Sequence, residues 1–456
     1  MSYSSYKETN QLWTPVIPQH WKFYRAKRIF DSPKEKNGGN KESNILSLTL
    51  RGVIHNSKEN PIGLAPTDYA TYQVFEPDDL VFKLIDLENV STSRVGIVPE
   101  RGIMSSAYIR FSARENINVR YYFYQYHDWW LRHIFNGLGA GVRQTLSAEE
   151  LLNLKIAVPP RDEQDQIVRY LDWQTSRINK LIRGYQQEII LIRERAQSEI
   201  STAVLQGLDK NVKLKAAGIQ NIDYIPEHWR ILQNKRIFAE RSEISTTGNE
   251  TLLSVSKHYG VKPYDDLTDN EQYATIKPAE SLVGYKKVMR HDVAMNIMRA
   301  RNGSYGVSEY DGIVSSAYAV FKPIIECNPR YMHYLLKTPQ VIGIFESYSY
   351  GIAEHRRRLY AVDFLRLHLP VPPIEEQNDI ARYIERAQGR AQSTIQKIQK
   401  EIDLLREYRT RLISDVVTGQ MDVRGIVIPE YTIEEDIDEI NDTDDMTDEE
   451  VYEDAE

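Results

Sequence analysis

Two kinds of hydrophobic pattern alternate along the chain. From residue 1 to 158, and again from 209 to 371, apolar residues come in short β-branched and aromatic runs broken by Gly, Pro and Asn. "NILSLTL", "DDLVFKLI" and "VGIV" mark the first stretch, and "TLLSVS", "DVAMNIM" and "YGVS" the second. Such runs predict short strands of a mixed α/β domain. Over 159–208 and 372–420 the spacing changes to a sustained 4-3 repeat. It runs Leu171, Thr175, Ile178, Ile182, Tyr185, Ile189, Ile192, Ala196, and then Ile384, Gln388, Ala391, Ile395, Ile398, Ile402, Leu405, Arg409, Leu412, Val416. That period predicts two helices of about 45 residues, about 65 Å long.

The same local signals bound both helices. Each follows two prolines, which bias the residue before them to extended geometry and suit a helix start. Acidic Asp162, Glu163, Glu375 and Glu376 then fill the first turn, where the helix dipole favours negative charge. The two starts, "VPPRDEQDQIVRYLD" at 158–172 and "VPPIEEQNDIARYIE" at 371–385, share eight of fifteen residues. "IPQHWKFYRAKRIF" at 17–30 returns as "IPEHWRILQNKRIF" at 225–238, and "GIMSSAYIRF" at 102–111 as "GIVSSAYAVF" at 312–321. The chain is therefore one unit, domain plus helix, written twice. Two separate amphipathic helices lying on their own domains would show the same spacing. Two seams of equal length in a duplicated chain favour packing on each other, antiparallel if an internal two-fold relates them.

Charge changes the picture. The formal net charge is −8, yet residues 430–456 hold 15 acids and no Lys or Arg. Without them the body carries about +7, and a block this acidic is expected to be disordered from about 430 within a tail spanning 421–456. A single cysteine, Cys327, excludes an intrachain disulfide framework and a Cys-rich zinc site. The polar N-terminus is no signal peptide, and no apolar run approaches the ~18 residues of a membrane span. A cytoplasmic protein with no membrane partner is expected.

This organisation resembles the DNA-specificity subunit of type I restriction–modification systems. The residues that carry the resemblance are the "IPxHW" entrances (Ile17, Pro18, His20, Trp21; Ile225, Pro226, His228, Trp229), the doubled "VPPxxEQ", "GIxSSAY" in each copy, and the segments "GLGAGVRQTLS" and "GIAEHRRRLY". It covers nearly the whole chain except the acidic tail. The family usually places a Trp four residues before the IP, as Trp13 is here; the second copy has Asn221, so its entrance is expected to pack differently. The resemblance implies an α+β chain: two target-recognition domains, 1–158 and 209–371, in pseudo-two-fold tandem, with long helices 159–208 and 372–420 forming an antiparallel coiled coil. It also implies double-stranded DNA as ligand, two modification subunits, and restriction/translocase subunits as partners. No cofactor belongs to this chain; S-adenosylmethionine, ATP and Mg are expected on the partners.

Two domains on a rigid rod could read two short DNA segments with an unread spacer between them. Affinity needs Lys and Arg on phosphates, and specificity needs polar side chains at base edges. The first copy offers Thr49 and Arg51 after one strand, Lys83, Asn89, Ser91, Ser93 and Arg94 in "FKLIDLENVSTSR", and Arg143, Gln144 and Thr145 after "GLGAG". The second offers Lys257 and His258, then Arg299, Arg301, Asn302, Ser304 and Tyr305 in "MRARNGSYG", and His355, Arg356, Arg357 and Arg358 in "EHRRRLY". "SSAY" (Ser105, Ser106, Ala107, Tyr108; Ser315, Ser316, Ala317, Tyr318), kept in both diverged copies, suits fold support or phosphate contact better than base readout. His20 and His228 read as packing residues rather than ligands.

Enzymatic readings find little support. "GLGAGV" resembles a cofactor glycine loop, but such loops follow a hydrophobic strand, and this one follows the helix-like "YHDWWLRHIFN". "NPRY" at 328–331 resembles the Asn-Pro-Pro-Tyr loop of adenine methyltransferases, with Arg in its third position. A methyltransferase or endonuclease with its own site is thus the weakest alternative. A DNA mimic or coiled-coil scaffold is favoured by the acidic tail and disfavoured by the basic, duplicated body.

Overall fold

The computed structural model describes residues 2–59, 61, 66, 68–85, 87, 93–114, 116–138, 145–267, 281–351 and 357–433. Its helices are α1 Val119–Leu131, α2 Ile134–Leu138, α3 Ala148–Asn153, α4 Arg161–Gln206, α5 Pro329–Leu336, α6 Pro339–Ser347, α7 Ala361–Arg366 and α8 Ile374–Val417. The two seams become α4 and α8, of 46 and 44 residues. The chain divides into two compact units: Met1–Glu188 with Ile398–Glu456, and Ile189–Lys397. The cut falls inside both long helices, where the sequence pattern had placed boundaries only at their ends.

In the first unit an antiparallel sheet runs in the order Phe30–Asp31, Ile109–Ala113, Leu80–Phe82, Val95–Ile97. The hairpin Leu46–Thr49/Gly52–His55 packs close to it: a Cβ on Gly96 would meet the Leu48 and Val53 side chains at 2.6 and 2.9 Å. Helix α1, "VRYYFYQYHDWWL", is aromatic on the face it buries. Tyr126 meets Phe82 and Trp129 edge-on at 5.0 and 5.2 Å, and Tyr122 meets Phe30 at 5.3 Å. Edge-to-face contact suits ring quadrupoles. The exit strand Lys155–Val158 closes the domain by pairing with Lys22–Arg25, just past the "HW".

The second unit repeats the order with Phe238–Glu240, Ala319–Pro323, Val293–Met295 and Tyr305–Val307. Its hairpin is Leu253–Ser256/Gly260–Pro263, and His368–Val371 closes it on Arg230–Gln233. Here the core is aliphatic, apart from rings such as Phe321 and Phe364, 4.3 Å apart. The entrances do differ. Trp13 meets Trp129 edge-on at 5.8 Å, whereas Asn221 takes a positive φ of 60° in the turn between Leu214–Ile219 and Ile222–Pro226. Asn tolerates that left-handed geometry; a bulky Trp does not.

The start of α4 and the end of α8 lie in the first unit, and the start of α8 and the end of α4 in the second. Within the first unit the two helices run antiparallel, since Tyr170 lies against Met421 just past α8 and Asn179 against Arg409. Leu171, Ile178, Ile182 and Ile189 of the α4 seam are buried, as are Ile384, Ile398, Ile402, Leu412 and Val416 of α8. Arg409, also on the seam, is buried and donates to Asn179 Oδ1 at 2.7 Å. Among the described residues no helix is long and apolar enough to cross a membrane.

Candidate nucleic-acid interface

The duplicated motif turns out to be a joint. In the first unit Glu163 stands in the first turn of α4, with Oε2 2.7 Å from His20 Nε2 and Oε1 accepting from Trp21 Nε1 at 3.0 Å. The Tyr3 hydroxyl also donates to it, and burial together with that carboxylate raises the Tyr3 pKa. Gln164 next door uses both ends. It donates to the Pro159 carbonyl and accepts from the backbone N–H of Asn118, both at 2.9 Å. Asn118 in turn caps α1 and donates to Asp165 at 2.7 Å.

The second unit repeats the links through His, Trp and Gln. Glu376 takes His228 at 2.8 Å and Trp229 at 3.0 Å, and Gln377 bonds Pro372 and Asn328 at 2.9 Å each. Asn328 caps α5, with Pro329 at the first helical position. "NPRY" is thus a helix cap rather than a reactive loop. The far end of the other long helix completes each joint. Tyr121 donates to the Val417 carbonyl at 3.2 Å and Tyr331 to the Val204 carbonyl at 3.1 Å, satisfying carbonyls of a last helical turn. Gly419 and Gly207 follow with φ of 73° and 79°, against Trp21 and Trp229. His20 and His228 are therefore polar members of the joint, where simple packing was expected.

The candidate reading residues sort by burial. In the second unit Asn302 and His258 are exposed, and Lys257, Arg299 and Arg301 half-buried. Arg299–Gly303 forms a tight turn closed by Gly303 at φ 86°. The Leu359 N–H donates to the Ile297 carbonyl at 3.0 Å, and Arg358 pairs with Tyr350, so exposed Arg358 lies beside this turn. Exposed Tyr350 and Tyr360, 5.3 Å apart, flank it. Three predicted residues face inward instead. Ser304 is buried behind the turn, Tyr305 donates to the Leu336 carbonyl at 2.8 Å, and Arg357 spends its guanidinium on the carbonyls of Ser349 and Glu346. The polar groups of Tyr305 and Arg357 thus bind the chain's own carbonyls, while Asn302 and Arg358 nearby are exposed. His355 and Arg356 lie outside the described residues.

In the first unit Arg51 is exposed at the hairpin tip, while Thr49 bonds the Gly52 carbonyl and fixes that tip. Lys83 and exposed Thr145 are brought together, because the Lys83 N–H bonds the Arg94 carbonyl and the Leu146 N–H bonds the Leu84 carbonyl. Ser93 and Arg94 are buried. Ser93 bonds the Val95 carbonyl at 2.7 Å, and Arg94 points its guanidinium at the carbonyls of Lys83 and Ile85. Neither side chain is placed to meet a phosphate, contrary to expectation, because the loop carbonyls have claimed them. Asn89, Ser91, Arg143 and Gln144 lie outside the described residues. Of the glycine-rich segment, Gly137 and Leu138 end α2, and residues 139–144 lie outside too.

"SSAY" is the same tight turn in both copies. The Tyr108 and Tyr318 N–H groups bond the Ser105 and Ser315 carbonyls, and the exposed tips are Ser106–Ala107 and Ser316–Ala317. Gln73 bonds both carbonyls of the first turn, and Asn296 bonds the Tyr318 hydroxyl at 3.2 Å. Sequence reasoning missed Lys337, which is drawn beneath the reading turns. Its only sequence signal is a lone Lys following an apolar helix face. Among the described residues no cluster of His, Cys, Asp and Glu could hold a metal ion.

Comparisons with known proteins agree with this architecture. Residues 18–190 match the family model described as type I restriction modification DNA specificity domain. The chain is 21% identical over 418 residues to the type I restriction enzyme EcoBI specificity subunit of Escherichia coli, covering 85% of this chain and 82% of that protein. It is 22% identical over 450 residues to the putative type I restriction enzyme MjaX specificity subunit of Methanocaldococcus jannaschii, covering 92% and 98%. A solved chain from work on complex assembly and conformational transition of the type I R-M system superposes with a TM-score of 0.61. It is 14% identical and covers 89% of this chain and 99% of its own length, a likeness of fold.

Proposed function

We infer that the chain, which belongs to the type I restriction–modification specificity-subunit family, reads a bipartite, asymmetric DNA site with one half-site per domain. The observation that carries this reading is the second unit's surface. Two turns, Lys257–His258 and Arg299–Asn302, and the strand-like segment at Arg358 present cationic and amide side chains from one scaffold. Arg and Asn are the residues that pair bidentately with guanine and adenine edges, and Lys supplies phosphate attraction. The first unit offers Arg51, Lys83 and Thr145 from a scaffold of the same strand order. Because the loops have diverged while the joints have not, the two half-sites differ in sequence.

The chain's part is recognition, not chemistry. Two modification subunits carrying S-adenosylmethionine would methylate the site, and restriction/translocase subunits using ATP and Mg would act on unmodified DNA. The joints, built from the same His, Trp, Glu and Gln in both copies, supply two corresponding places from which such partners can be positioned. The test is Arg301→Ala with Asn302→Ala. Binding to the cognate site should weaken by about 1–3 kcal/mol per lost bidentate contact, with one half-site relaxed and the other kept. Methylation mapped genome-wide in cells carrying the variant reads both halves at once, and unchanged specificity in both would overturn the assignment of this turn.

A further inference from the structure

We propose that Lys337, at the end of α5, is a positioning residue that holds the two reading turns of the second domain as one rigid surface. This rests on the reading just given for those turns. The Lys337 ammonium donates to the Gly303 carbonyl at 2.5 Å, to the Lys257 carbonyl at 3.2 Å and to the Ser256 carbonyl at 3.5 Å. Gly303 closes the turn that carries Arg301 and Asn302, and Ser256–Lys257 opens the hairpin turn that carries His258. One ammonium thus spends three donors on two loops that sequence places about 46 residues apart. The same Nζ lies 5.1 Å over the Tyr305 ring, whose hydroxyl bonds the Leu336 carbonyl.

One helical turn earlier, His333 does related work. Its Nδ1 accepts from the Val307 N–H at 3.4 Å, and its ring fills the space that side chains at Gly260 and Gly306 would occupy, 3.0 and 3.3 Å from where their Cβ atoms would stand. Burial holds His333 neutral, with its pKa lowered to about 4, and draws the Lys337 ammonium down to about 8. The charged and titratable groups around the ammonium are His333 on α5, Lys257 and His258 on the hairpin turn, Arg299 and Arg301 on the tight turn, and Tyr305 on the strand between. Of these, His258 is exposed, while Lys257, Arg299 and Arg301 are half-buried like Lys337 itself. A half-buried ammonium among cations is costly, so its place here is better explained by orientation than by stability.

The experiment compares Lys337→Met, Lys337→Arg and Arg301→Ala/Asn302→Ala in the full-length chain within its native complex, selecting sites from DNA randomised in both halves. Lys337→Met should lose about tenfold of its discrimination in the second half-site while the first half stays within about twofold. Lys337→Arg, charged at every pH used, should recover most of the loss. Raising the pH from about 7 to about 9, across the titration of Lys337, should blur second-half discrimination in the wild type and not in Lys337→Arg. If Lys337→Met discriminates like wild type while the Arg301/Asn302 variant does not, the clamp is wrong and the reading stands. If neither variant changes the second half, both fall. Should Lys337→Met not fold, a pH profile of the wild type identical to that of Lys337→Arg overturns the proposal by itself.

Discussion

Glu163 and Glu376 each accept an indole N–H and hold an imidazole, in the first turn of a long helix. A carboxylate there also meets the positive end of the helix dipole. Glu163 is the deeper, with its side chain 5% exposed against 27% for Glu376. Truncating either to Ala leaves a Trp N–H without its acceptor, and the penalty for an orphaned buried donor is about 1–3 kcal/mol. Glu163→Ala should therefore lower the unfolding midpoint more than Glu376→Ala, measured by calorimetry on the two variants side by side. Lys337 adds a pH signature. Its folded pKa of about 8 lies below the ordinary 10.5, so between those values the unfolded chain binds more protons. Stability from this group must then rise with pH across that window. The difference in stability between wild type and Lys337→Met, followed from about pH 7 to about pH 10.5, should show that rise. The sequence displayed His, Trp, Glu and Gln as repeated letters and could not say that they are partners, since 142 and 147 positions separate the bonded pairs. It likewise ranked Arg94 with Arg301, because a buried and a half-exposed arginine are the same letter.

Elements were easier to read than contacts. Every run named as a strand forms one, and both 4-3 seams are helices, because period and length are properties of neighbouring residues. The sheet order was not legible: the pairing of Ile109–Ala113 with Leu80–Phe82 depends on closure of the whole domain. The seam also carried a polar surprise. Arg409 sits where an apolar residue would pack, and its guanidinium reaches Asn179 at 2.7 Å. A buried polar pair of this kind fixes the register of a coiled coil at some loss of stability. Asn179→Leu should therefore destabilise the chain by about 1–3 kcal/mol, having removed one acceptor from a buried cation. Adding Arg409→Leu should recover much of that loss, in urea unfolding of both variants. If the double variant is as unstable as the single one, the pair is a net source of stability and not a register lock.

At the scale of the whole molecule, the chain passes from one compact unit to the other only inside α4 and α8, at 188/189 and 397/398. Each unit is anchored to one helix start and one helix end by the same set of bonds. On the proposal of one half-site per unit, helix length would set the distance between half-sites. The Asn179–Arg409 contact gives the register, and by it residue 188 of α4 falls opposite about residue 400 of α8. Inserting one heptad after Glu188 and another after Glu401 therefore lengthens both helices at matching levels and preserves the seam. Seven residues add about 10 Å at 1.5 Å each. At 3.4 Å per base pair, the unread spacer should grow by about three base pairs. Three pairs also rotate the second half-site about the duplex axis, so affinity should fall unless the DNA twists or bends to follow. Selection from a library of randomised spacer lengths measures the preferred spacing directly. A lengthened protein that keeps its original spacing would show that the helices are not the ruler and that the assembled complex sets the distance instead.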